Sequence, residues 1–174
     1  DFPRIARIMH LENGIKQAFN KPFYVEEKVD GYNVRIAKVQ DQVFAFTRGS
    51  YVCPFSTDRL VDFFDYDNFF RENPDLIVCG EIAGPESPYN GESPPYVVED
   101  ISFFAFDIRI KNSDQQIPTE KRYKLFDEYE IPTVTRFGRY VSSDIKEIER
   151  YIQDMNKKGC EGLVFKPTDP SEKT

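Results

Sequence analysis

Lys28 opens the stretch KVDGYNVR, residues 28–35, where it stands two positions before Asp30-Gly31 and is followed by Asn33 and Arg35. An amine attacks phosphorus only when unprotonated, and a lysine set among cations or beside a metal, and partly desolvated, loses enough basicity to do so. Gly31 permits a tight turn and the close approach of a ligand. Alone, the KxDG pattern arises by chance in roughly one chain of this length in thirty, and its ordinary reading is a polar surface hairpin. What raises its weight is the ordered set behind it: Arg48-Gly49, Gly80-Glu81, Phe106-Asp107 and EGLVFK over 161–166. Glu81 and Glu161 offer hard oxygen ligands that suit Mg²⁺ or Mn²⁺, a charge able to neutralise phosphate as a pentavalent centre forms. Asp30 and Asp107 are candidates to orient those groups. For Arg48 the competing reading is a pair with a neighbouring acid.

This set resembles the covalent nucleotidyltransferase superfamily of DNA ligases, RNA ligases and messenger-RNA capping enzymes, and the resemblance covers most of the chain. KVDGYNVR, the PESPY that follows Gly80-Glu81, and the FAFDI segment are most similar to the archaeal-type homodimeric ATP-dependent RNA ligases. Asn33 carries the distinction, since an asparagine five residues after the nucleophile is typical of that branch. DNA ligases and capping enzymes have an arginine there, whereas here the arginine, Arg35, comes two residues later. The resemblance implies that Lys28 is adenylylated, that Arg48 lies next to the ribose and incoming phosphate, and that Glu81 binds a ribose hydroxyl. Phe106 would stack on the base, with Phe103 or Phe104 as alternatives, and Glu161 with Lys166 would form the fourth motif. Glu26, two before the nucleophile, could accept from the adenine amino group, against the blander reading of an exposed strand acid.

The implied cofactors are ATP and Mg²⁺ or Mn²⁺, and the implied partners are RNA 5′-phosphate and 3′-hydroxyl ends. A fifth motif, whose lysines contact the triphosphate, follows the fourth in this family. The chain stops at Thr174 and Lys173 does not sit in such a motif. Residues 1–174 are therefore expected to be one nucleotidyltransferase domain, a fragment ending before that motif, with homodimerisation resting on a C-terminal region outside it. A capping guanylyltransferase, a DNA ligase core and a module that binds nucleotide or RNA ends without chemistry are the alternatives.

The elements that must position these residues read as an antiparallel α+β fold. Phe23 to Lys28, Tyr32 to Val39 and Val43 to Thr47 are rich in β-branched and aromatic residues and read as a meander. Arg59 to Phe64 and Tyr66 to Arg71 read as short helical pieces, Leu76 to Glu81 and Ile101 to Ile110 as strands, and Ala83 to Pro95 as a proline-rich loop suited to a lid. Thr119 to Tyr129 and Ser143 to Lys157 have helical apolar spacing, Gly159 ends the second, and Gly162 to Lys166 is a last strand.

Composition bounds the function from outside. With 174 residues the chain supports one sizeable core. Its net charge of −7 argues against binding nucleic acid by bulk charge, so any such role is local. Cys53, Cys79 and Cys160 form no CxxC pair and read as small buried hydrophobes. The single histidine, His10, leaves little room for imidazole chemistry. No apolar run is long enough to span a bilayer and no signal-peptide layout opens the sequence, so a cytoplasmic protein without membrane contact is expected.

Overall fold

The structure is a computed structural model that describes residues 11–19, 21–89, 93–113 and 115–170. His10 and Lys173 lie outside the described residues. The elements run α1 (Leu11–Ala18), β1 (Phe23–Lys28), β2 (Tyr32–Val39), β3 (Gln42–Thr47), α2 (Pro54–Asp58), a 3₁₀ turn (Leu60–Asp62), α3 (Tyr66–Glu72), β4 (Leu76–Ala83), β5 (Ser102–Ile110), α4 (Thr119–Glu128), β6 (Arg136–Tyr140), α5 (Ile145–Lys157) and β7 (Gly162–Pro167). They form two antiparallel sheets, ordered β6-β1-β7 and β3-β2-β4-β5, with packed helices. The α+β class is as expected.

The meander is corrected. β2 and β3 form a hairpin, but β1 belongs to the other sheet, so Asp30-Gly31 carries the chain between sheets instead of closing a surface hairpin. Gly31 is required there by a neighbouring strand: a Cβ on it would lie 2.8 Å from the Ile82 carbonyl oxygen of β4. Val29, just before this crossover, packs with Ala83 and Val134 and so stitches the two sheets together.

Each sheet buries one face against helices. In the four-stranded sheet, alternate residues Val34, Ile36, Ala45, Val78 and Ile108 meet Phe69 and Phe70 of α3 and Phe126 of α4. α3 starts where the Asp65 carboxylate accepts from the Asn68 amide at 3.0 Å, an N-cap that satisfies one otherwise orphaned donor. In the three-stranded sheet, Phe23 and Val25 of β1 pack with Ile15 of α1 and Ile148 of α5. Gly159, at φ 71°, lies just past α5 in the left-handed region that favours glycine.

The short helical segment falls earlier than expected, at Pro54–Asp58 with only the 3₁₀ turn behind it. Two elements, α1 and β6, are not evident in the sequence. α1 carries Gly14 and buries only Ile15, and β6, RFGRY, contains a glycine at φ 119° and polar residues suited to a sheet edge.

Candidate active site

Lys28 ends β1 opposite Gly162 of β7, and this register delivers its side chain to Glu161, the residue just before β7. The Lys28 Nζ donates to Glu161 Oε1 across a sequence separation of 133 residues. Both side chains reach a cavity of about 210 Å³ that is also lined by Asp30, Ser93, Pro94 and Cys160. Ser93 and Pro94 belong to the proline-rich loop, which therefore supplies one wall. Beyond them, the Tyr96 hydroxyl donates to Glu27 Oε1 at 2.6 Å, while Thr135 donates to Glu27 Oε2 at 2.6 Å. Glu27 is thus a buried anchor for that loop. Of the cysteines, Cys53 and Cys79 are buried as expected, but Cys160 is only half-buried and faces the cavity.

The second sheet supplies the next two groups. Asn33 of β2 and Glu81 of β4 stand directly opposite each other, and the Asn33 amide donates to Glu81 Oε1 at 3.1 Å. Glu81 Oε2 and Asn33 Oδ1 are buried with no hydrogen-bond partner, which is costly unless something else is to be bound there. Burial pushes the Glu81 carboxyl up to about 8, against the pull of the Asn33 hydrogen bond and the Lys28 charge, and the nearby Glu161 and Asp30 raise it further. Glu81, Lys28, Glu161 and Asp30 therefore share one electrostatic neighbourhood, as the sequence motifs anticipate.

The described residues hold no group of three or more His, Cys, Asp or Glu placed to grip a metal. Two carboxylates and the orphaned amide oxygen nevertheless fit the partial coordination that Mg²⁺ accepts from protein, with water and phosphate completing it.

Gly80 is explained by the ring behind it. A Cβ at this position would fall 2.3 Å from Phe103 Cε2, and Phe103 is itself stacked on Phe63 at 5.4 Å in the helix-facing core. Phe103 is thereby removed as a base-stacking ring. β5 then bulges where Cys79 and Gly80 meet Asp107 and Ala105, and this irregularity shifts the alternation along the strand. Phe104 and Phe106 both come to the inter-sheet side, half-buried beside Val29 and Val134.

Glu26 and Lys166 turn inward. Glu26 is 1 % exposed. Arg122 Nη2 and the Tyr123 hydroxyl both donate to its Oε1, the latter at 2.7 Å, and the Lys166 Nζ lies 2.8 Å from its Oε2. Burial alone would raise this carboxyl, but Lys166 and Arg122 outweigh it and hold it below its ordinary value. The exposed strand acid is thus excluded, and Glu26 belongs to a buried charged cluster. Lys166 also donates to the Phe106 carbonyl oxygen and lies 5.2 Å from the Phe106 ring centre, so it braces β5 from behind. Burial and the Arg122 charge depress its pKa. Arg122 Nη1 sits 3.9 Å from Asp107 Oδ1, completing the buried cluster. Arg122 and Tyr123 are not singled out by the motifs. The signal available was a basic residue on the buried stripe of α4, at Thr119, Arg122 and Phe126. Arg35 lies two residues beyond Asn33 on β2, and Arg48 is exposed in the turn after β3.

The site thus combines a lysine paired with a carboxylate, an Asn-Glu pair with two buried unpartnered oxygens, and two half-buried aromatic rings. The RNA ligase family profile matches residues 21–174. The chain belongs to the RNA ligase family. Among solved RNA ligase structures, an archaeal ATP-dependent RNA ligase is 38% identical and superposes with a TM-score of 0.92, covering 97% of this chain and 45% of that one. An Aquifex aeolicus protein, assigned provisionally as an ATP-dependent DNA ligase, is 45% identical with a TM-score of 0.94, covering 99% of this chain and 48% of that one. An uncharacterized protein of Methanocaldococcus jannaschii is 32% identical over 173 residues, which is 97% of this chain and 43% of the relative. The chain thus spans less than half the length of each of these relatives. Among the described residues no helix is long and apolar enough to cross a membrane.

Proposed function

We propose that this chain is the nucleotidyltransferase domain of an ATP-dependent RNA ligase in which Lys28 is the nucleophile. The observation that supports it most is the meeting of Lys28 with Glu161 at the mouth of the cavity, next to a Glu81 carboxyl kept protonated by burial. The Lys28 Nζ attacks the α-phosphorus of ATP. The N–P bond forms as the P–O bond to pyrophosphate breaks, giving lysyl-AMP. The Lys28–Glu161 pair separates as nucleotide enters, and the ammonium proton passes to water before the attack.

Glu81 and Glu161 are the residues that would hold a divalent cation, and when bound it supplies positive charge against the phosphate oxygens. Asn33 fixes Glu81 and presents an amide to the ligand. Phe104 and Phe106 bound the base, with Lys166 and Arg122 fixing the strand that carries them. Positioning and electrostatics supply most of the acceleration in such a transfer. In the following steps AMP passes to an RNA 5′-phosphate, and a 3′-hydroxyl displaces it to seal the ends.

Incubation with α-labelled ATP or GTP tests this reading. An acid-labile label from ATP, lost in Lys28→Ala and in Lys28→Arg, is expected, because a guanidinium stays protonated. Full labelling of Lys28→Ala defeats the nucleophile assignment, and preference for GTP points to a capping guanylyltransferase. The similarity to the Aquifex aeolicus protein gives DNA sealing a place in the test. If the full-length protein seals nicked all-DNA duplexes better than RNA, the substrate assignment fails while the lysyl-nucleotide chemistry stands.

A further inference from the structure

Glu27 places a carboxylate where the sheet calls for hydrocarbon. The unbroken register of β1 with β7 sets Phe23, Val25 and Glu27 opposite Pro167, Phe165 and Leu163, and strand alternation puts the three on one face. Phe23, Val25, Leu163 and Phe165 belong to the apolar cluster shared with α1 and α5, and Glu27 beside them is 4 % exposed. Burying a carboxylate is costly, and a leucine here would extend the cluster without that cost. Nor do its partners require it, since Tyr96 and Thr135 are both exposed residues whose hydroxyls can turn to water.

What the carboxylate does secure is position, because its partners come from three segments around the meeting of Lys28 with Glu161. Thr135, in the segment before β6, donates its hydroxyl to Glu27 and also accepts from the Glu27 amide through its carbonyl at 2.9 Å. Tyr96 belongs to the proline-rich loop, whose Ser93 and Pro94 line the cavity. Cys160 immediately precedes Glu161, and it lies close enough that the Glu27 charge and a hydrogen bond to Glu27 raise the thiol pKa, after burial itself. The loop touches this short segment a second time, since a Cβ on Gly159 would fall 3.3 Å from Pro95 Cγ. Lys28 is the next residue of β1. One buried side chain thus ties the strand that ends in the lysine to the segment that presents the acid.

We propose that Glu27 is a positioning residue for the formation of lysyl-AMP. By holding Cys160 and, through Tyr96, the proline-rich loop, it sets the place of Glu161 relative to Lys28. The inference rests on the lysyl-AMP reading of the cavity and deepens it. Both oxygens of Glu27 are taken by hydroxyls at 2.6 Å, so it acts through its neighbours and not by contact with ATP.

The test separates position from stability. Labelling of Lys28 by α-labelled ATP is measured as a maximal rate and a KM, and access to each cysteine as its rate of alkylation by iodoacetamide, with the modified residue identified by mass. Glu27→Leu should stay folded, lower the maximal labelling rate by roughly tenfold to a hundredfold and leave the KM for ATP unchanged. It should also speed alkylation of Cys160 while Cys53 and Cys79 remain protected. Tyr96→Phe removes one hydroxyl and keeps the carboxylate, so it should have both effects to a smaller degree and add nothing in a Glu27→Leu chain; it carries the same comparison if Glu27→Leu does not fold. Glu27→Gln, whose amide can accept from one hydroxyl and donate to the other, should recover part of the rate. Labelling of Glu27→Leu and Tyr96→Phe at the wild-type rate overturns the proposal. So does a raised KM with the maximal rate intact, which makes Glu27 a contact of ATP, and so does faster alkylation of all three cysteines alike, which makes it a residue of stability alone. Failure of the unsubstituted protein to label with ATP sinks the lysyl-AMP reading instead, and Cys160 alkylation then still reports whether Glu27 holds that segment.

Discussion

Arg122 and Glu26, 96 residues apart, meet as an ion pair in which each side chain is 1 % exposed. Such a pair is worth little against an apolar replacement of both partners, but removing one partner leaves the other charge stranded. Arg122→Ala is therefore expected to cost about 3 kcal/mol of stability, measured as a shift of the urea midpoint. Arg122→Met/Glu26→Gln removes one charge of each sign, leaves Lys166 facing Asp107, and should recover part of the loss. A cost below about 1 kcal/mol for Arg122→Ala would show that the pair behaves as a solvated one.

Glu81 gives a pH dependence with a definite sign. Its folded-state value of about 8 lies above the 4.5 of an ordinary glutamate. The folded chain thus binds a proton that the unfolded chain has released, and this contribution to stability declines as pH rises from about 4.5 through about 8. Denaturant titrations across that range should show a slope that Glu81→Gln flattens. An unchanged slope in the variant means that Glu81 is already ionised in the folded protein.

The same carboxyl predicts proton release on cation binding. Oxygen ligands must be ionised to bind Mg²⁺ or Mn²⁺, so calorimetry below pH 8 should register proton release that depends on buffer ionisation heat, and that Glu81→Gln abolishes. Chelation should stop Lys28 labelling. Labelling at full rate in a chelator would exclude the cation from the first step.

Asn33 is expected to separate the steps of the proposed reaction. Its amide can donate to one oxygen and accept at another, and it already spends one donor on Glu81. Asn33→Ala should impair joining of pre-adenylylated RNA more than formation of lysyl-AMP. Equal loss in both steps assigns Asn33 to holding Glu81 in general.

Gly80→Ala tests why a glycine precedes Glu81. The added methyl would fall 2.3 Å from the Phe103 ring and 2.8 Å from the Phe104 carbonyl oxygen, which should cost about 1–3 kcal/mol. Phe103→Leu in the same chain should relieve part of it. A neutral single variant would indicate that β4 and β5 separate easily at this point.

The strands were legible because their β-branched and aromatic runs are local signals, whereas their distribution between sheets was not. β1 is central in its sheet and buried on both faces, reading buried at five consecutive positions before Lys28. Glu26 and Glu27 therefore look like surface acids in a local pattern and are structural ones in space. Lys28, Asn33, Glu81 and Glu161 could be grouped from motif order, and the fold brings them together. The phase of β5 could not be read because the bulge near Asp107 breaks the period on which such a reading depends. Arg122 was hidden because its partner lies in another element, and nothing near it in the chain advertises the pairing.

Lys28 and Glu161 meet only through the register of β1 with β7, and this has a consequence in time. At ribosomal rates of about 5–20 residues per second, the lysine emerges on the order of ten seconds before its acid. Through that interval β1 lacks the strand that completes its sheet, so the nascent chain holds Lys28 without the acid that faces it. The facing of Lys28 by Glu161 forms only when the last described strand pairs with the first.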